Sequence, residues 1–189
     1  MKAMFKPFLS ILAVFAVSAG FAGQQFKPAI PKEIEALYPM VGEWKGTIGS
    51  ESMPQITGPA TIRISKILDG VYLQLDLLHE LPGPILVKGQ TTFAWNDKSK
   101  KVQSFTFGNG GMEDPSRPRE ELGEFKAGIL TMEGKMSGME YRQIYQLMPD
   151  GTLKYEFGMM QGGKLQPMGG GVLKRSEERR VGKECRSRW

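Results

Sequence analysis

The chain has 189 residues, a formal net charge of +5, one histidine and one cysteine. One histidine cannot assemble a multi-histidine metal site and one cysteine closes no internal disulfide, so disulfide scaffolds and thiolate zinc clusters are excluded. Of the 25 basic and 20 acidic residues, the last fifteen positions hold six and three, and the first 22 hold two and none, which leaves 17 of each between them. That neutral balance lacks the retained basic face a nucleic-acid partner requires.

The first 22 residues read as a secretory signal peptide. Lys2 and Lys6 form a positive start, Leu9 to Ala19 is apolar, and small residues stand at Val17 and Ala19 or Gly20 and Ala22. The apolar stretch is too short for a comfortable membrane span; an uncleaved N-terminal anchor is the alternative. No cysteine stands near the cleavage site to carry an acyl chain. The expected location is periplasmic or secreted, with no stable membrane insertion after cleavage.

Residues 23–174 are expected to form one domain. Pro31 suits a helix start, Ile34, Leu37 and Tyr38 recur at helical spacing, and Pro39 ends the run, so a short helix is predicted over 32–38. The rest of the domain has strand character over 42–50, 58–68, 70–79, 86–95, 101–108, 121–126, 129–135, 139–148, 152–161 and 164–174. Trp44, Gly46 and Ile48 alternate with Glu43, Lys45 and Thr47; Leu73, Leu75 and Leu77 alternate with Gln74 and Asp76. That period of two marks strands with one face in a core. Leu68-Asp69-Gly70, Asn96-Asp97-Lys98, Pro149-Asp150-Gly151 and Gly162-Gly163 are turn signals. Ten short strands joined by hairpins predict an all-β, antiparallel up-and-down barrel, since closure removes exposed sheet edges. A β-sandwich is the alternative.

Residues 175–189, RSEERRVGKECRSRW, resemble a translated sequencing adapter over all fifteen positions. They are expected to be a non-native tail and are set aside with their lone Cys185.

The stretches Leu37-x-x-Met40-Val41-Gly42-Glu43-Trp44-Lys45-Gly46, Leu68-Asp69-Gly70-Val71-Tyr72-Leu73 and Phe93-Ala94-Trp95-Asn96-Asp97-Lys98-Ser99-Lys100 resemble the lipocalin-like family of domain of unknown function 1579. The resemblance implies a bacterial, often exported, calycin-type barrel and supplies no catalytic residues. Related fatty-acid-binding barrels hold a carboxylate with an Arg-x-Tyr pair on one strand face. Arg142 and Tyr145 are three apart and point to opposite faces, so that pair is not met. Related haem-binding barrels use a histidine near the C-terminus, which this chain lacks.

The polar candidates for a cavity are Arg63, Arg142, Tyr141, Tyr145 and Tyr155, with the motif residues Trp44 and Trp95 and the sole histidine, His79. Tyr141, Gln143 and Tyr145 share one strand face, interior or exterior. If it is interior, hydroxyls and an amide converge on a ligand; if exterior, they are surface residues. His79 continues the face of Leu73, Leu75 and Leu77 toward a barrel mouth, as a rim or structural residue or as a general base or haem ligand. Eight methionines crowd the second half of the chain; thioethers bind Cu(I), and they also fill deformable cores. The charged segment 108–122 reads as a solvated loop or as a lid over the mouth. No phosphate-binding loop, Ser-His-Asp set or cofactor motif is recognisable.

Three functions are therefore expected: a barrel holding a small apolar or amphipathic ligand, an enzyme using His79 or a tyrosine on a small hydrophobic substrate, or a ligand-free envelope module. A cavity of several hundred cubic ångströms separates the first two from the third.

Overall fold

A computed structural model of the chain describes residues 28–50, 52–109 and 117–176. The expected leader, positions 110–116 of the charged segment and positions 177–189 of the tail lie outside the described residues.

The chain opens with a single helical turn, α1 (Lys32–Glu35), followed by a 3₁₀ turn at Tyr38–Met40. Ten strands come after it: β1 (Gly42–Ile48), β2 (Gly58–Ile67), β3 (Tyr72–Glu80), β4 (Leu86–Asn96), β5 (Lys101–Gly108), β6 (Arg119–Lys126), β7 (Ile129–Met136), β8 (Met139–Leu147), β9 (Leu153–Gln161) and β10 (Lys164–Arg175). Each pairs antiparallel with the next in sequence, and β1 pairs with β10 to close the barrel. The up-and-down barrel expected from alternation is thus the fold, and the sandwich is excluded. Strand limits agree with the sequence within a few residues. The difference that bears on function is β6, which begins at Arg119 and takes Arg119 and Glu120 out of the expected loop.

The two ends of the barrel differ. At one end the chain turns tightly at Leu68–Gly70, where Leu68 and Asp69 have positive φ, and at Lys100, Gly128 and Gly151. The helical segment lies across this end: Ile34, Leu37 and Met40, three residues apart, are buried on the core beside Ile64, Leu73, Phe93 and Leu130. Each such side chain contributes roughly 1.5–3 kcal/mol by leaving water. The helix expected over 32–38 is shorter, ending at Glu35, and Pro39 does not end it but sits inside the following 3₁₀ turn, where a proline near the start is tolerated. The opposite end carries the longer connections at 49–57, 81–85 and 109–118.

A clamp joins the two ends of the described chain at the covered end of the barrel. The Arg175 guanidinium donates to the carbonyls of Pro39 (2.7 Å) and Val41 (2.8 Å) and lies 4.3 Å over the Trp44 ring. Ser176 N–H donates to Glu43 O at 2.7 Å. β10 ends at Arg175, the first residue of the segment set aside in the sequence.

Candidate functional site: a polar wall inside the open half of the barrel

The charged stretch Arg119-Glu120-Glu121-Leu122-Gly123-Glu124-Phe125 is a strand whose alternation runs against hydrophobic expectation. Glu121 points inward and is 2% exposed, while its neighbour Leu122 lies on the outward-pointing set. A buried carboxylate is costly unless its lone pairs are filled. Here they are. Ser104 Oγ donates to Oε2 at 2.7 Å, Tyr141 Oη and Gln143 Nε2 each donate to Oε1 at 2.5 Å, and Arg119 Nε lies 3.3 Å from Oε1.

Register explains how residues on four strands meet. Ser104 on β5 pairs with Glu121 on β6, Glu121 with Gly134 on β7, and Gly134 with Tyr141 on β8. Neighbouring strands are about 4.8 Å apart, so Glu121 and Tyr141 stand roughly 10 Å from each other with Gly134 between them. A Cβ on Gly134 would lie 2.5 Å from the Tyr141 hydroxyl and 3.1 Å from Glu121 Cγ. The missing side chain is the gap through which the two groups reach.

The network continues toward the barrel axis. Gln143 gives its amide N–H to Glu121, which leaves its carbonyl Oε1 to accept the hydroxyls of Tyr145 (3.1 Å) and Tyr155 (3.0 Å). Burial pushes the Tyr145 hydroxyl pKa well above its ordinary value, with Tyr155 and Glu121 adding to the shift. Burial, and then Glu121, raises Tyr155 as well. Both tyrosines stay protonated across the physiological range. Beside Arg119, whose register partner on β5 is Thr106, Thr106 and Thr91 share a hydrogen bond of 2.9 Å.

These groups border a cavity of about 220 Å³. Its polar side is Arg119, Gln143, Tyr145, Tyr155 and the threonine pair; its apolar side includes Ile62, Leu75, Leu77 and Phe157. Gly89 and Gly108 are directly paired on β4 and β5, and with Lys88 they bring the cavity edge to the open end. Below Tyr145 the barrel is filled, and the next void, between Leu37, Leu73 and Phe93, measures about 10 Å³.

The structure separates the eight sequence candidates. Tyr141, Tyr145 and Tyr155 come together on the interior polar wall, and the Tyr141–Gln143–Tyr145 face is interior. Tyr145 and Tyr155 line the cavity, and Tyr141 stands behind it on Glu121. Trp44 is inside but structural: it is fully buried at the covered end, and its Nε1 donates to Met40 O at 2.9 Å. Trp95 is half-buried against the same core, with Nε1 donating to Asp97 at 3.1 Å, and does not border the cavity. Arg63 is not brought to this cavity. It lies on the outer wall, because the odd-numbered residues of β2 face away from the core, and it pairs with Glu43 at 2.6 Å. Hydrogen bonds from Lys45, then from Arg63, hold the Glu43 carboxyl down to about 2. Arg142 is also external, bound to Glu133 through Nε (2.9 Å) and Nη2 (2.6 Å).

His79 is buried, 8% exposed, and its Nε2 lies 3.1 Å from Ile48 O. Burial lowers its pKa, and the hydrogen bonds to the Ile48 and Gly58 backbone oppose that shift. It does not border the cavity, and among the described residues no carboxylate is bonded to it. Met132 and Met136 share the interior face of β7; Met132 is core and Met136 touches the cavity. Met139, in contrast, is exposed. Arg119 and Glu121 escape a reading of the sequence because they sit in a dense charge run. The recoverable signal is the continued alternation through Gly123 and Phe125 into the core.

Among the described residues no cluster of three or more His, Cys, Asp or Glu side chains is placed to hold a metal, and no helix is long and apolar enough to cross a membrane. No protein-family model matches this chain, and no curated protein matches it.

Proposed function

We propose that this protein is an exported, lipocalin-like binding barrel whose cavity holds one small amphipathic molecule. The observation that carries the reading is the two-sided cavity of about 220 Å³ within a closed barrel. Binding sites of this kind pair an apolar lining with a few fixed polar groups. The volume is below that of drug-sized pockets, and above the ~150 Å³ cavity known to admit benzene, so the ligand has on the order of a dozen non-hydrogen atoms. The family resemblance of the Gly42-Glu43-Trp44-Lys45-Gly46 start, the signal-like N-terminus and the neutral charge between the ends add support for an extracytoplasmic carrier without a nucleic-acid partner.

Native mass spectrometry of the purified protein tests this. A retained organic mass of this size, lost on mild activation, is the expected result. One equivalent of zinc or copper in its place would overturn the proposal. So would a protein that retains nothing and takes up no small amphiphile added to it.

A further inference from the structure

The hydrogen-bond partners in the polar wall dictate an assignment of its protons, and that assignment constrains what the cavity accepts. Glu121 accepts from Ser104 and Tyr141 and lies against Arg119. A carbonyl oxygen aimed at that carboxylate would be repelled, so Gln143 must present its N–H groups to Glu121 and its Oε1 to the tyrosines. An amide oxygen only accepts. Tyr145 and Tyr155 must therefore each spend their single hydroxyl proton on Gln143. What the two phenol oxygens have left to offer the cavity is lone pairs.

From this, and resting on the binding-barrel reading above, we infer that the cavity selects a neutral molecule whose polar end donates a hydrogen bond, an alcohol or a primary amide, over a carboxylate or an ether. Arg119 does not reverse the preference, because Glu121 beside it already balances its charge. A carboxylate entering here would add a second buried negative charge and face two oxygen lone pairs with no proton between them. A hydroxyl or an amide N–H supplies the missing proton. Its own oxygen can then accept from Arg119 or from the one proton that the Thr91–Thr106 pair does not use internally. The raised hydroxyl pKa values of Tyr145 and Tyr155 agree with acceptors that remain neutral.

The test is calorimetric titration of the full chain at neutral pH with four probes of matched length: 1-octanol, octanamide, octanoate and methyl heptyl ether. Octanol and octanamide are expected to bind about tenfold more tightly than the other two, the equivalent of about one net hydrogen bond. The ether is the more apolar molecule, so burial of apolar area alone gives the opposite order. Octanoate binding as tightly as octanol, or the ether matching it, overturns the donor inference and leaves the binding barrel standing. No binding by any of the four overturns both. In Tyr155→Phe, octanol should lose about fivefold while the ether is unchanged; an equal loss for both probes overturns the acceptor role.

Discussion

The two halves of the barrel interior are made by the same ten strands with the same alternation, yet they are filled in different ways. The covered half is apolar and tightly packed around Trp44, Leu73, Leu130, Leu153 and Leu173, with α1 and the 3₁₀ turn laid over it. The open half holds a buried carboxylate, its donors and empty volume. The difference shows how one period-two pattern serves two ends: side chains that fill space hold the barrel closed, and that stability tolerates a half that is left unfilled and polar.

The sharpest way to break this comparison is to remove the centre of the polar half. Glu121→Ala takes away the carboxylate beside Arg119 and the acceptor shared by Ser104, Tyr141 and Gln143. It should cost about 3–5 kcal/mol by urea unfolding, as losing one member of a buried ion pair does. A cost below about 1 kcal/mol would mean that the network contributes no order. Next in size is a matched pair on one strand. Leu73→Ala, in the packed half, should cost about 3 kcal/mol, whereas Leu77→Ala, beside the existing cavity, should cost about 1 kcal/mol and enlarge the space for ligand. Equal costs would remove the distinction between the halves.

The smallest effect concerns His79 at the open end. Its pKa is lowered in the fold from 6.5. The unfolded chain then binds the proton first as pH falls, so the stability this residue allows is complete above 6.5 and declines from 6.5 down to its folded value. His79→Gln should flatten the fall in unfolding free energy as pH drops below 6.5, the smallest of these effects. An unchanged slope would show that the ring is not held neutral.

Much of the architecture was legible because strands and tight turns are local. Asp69-Gly70, Asp150-Gly151 and Gly162-Gly163 announce chain reversals, and Leu73, Leu75 and Leu77 name their own core face. The site was legible only in part. Tyr141-Arg142-Gln143-Ile144-Tyr145 alternates, but either of its faces could pass for the buried one, and only pairing with Leu130 and Met132 on β7 decides. Glu121 was illegible for a stronger reason. Its burial depends on partners contributed by β5 and β8 and on the missing side chain at Gly134, and none of these is near it in sequence.

The clamp at Arg175 has a kinetic consequence. Nine of the ten strand pairings join consecutive hairpin partners, whereas Arg175 reaches across 134 and 136 residues to Val41 and Pro39. Hairpins can zip one after another without it, whereas this seam joins the two ends of the described chain and carries the largest closure cost of the ten pairings. If the latch closes after the barrier, it leaves the speed of assembly alone and lengthens the lifetime of the finished cylinder.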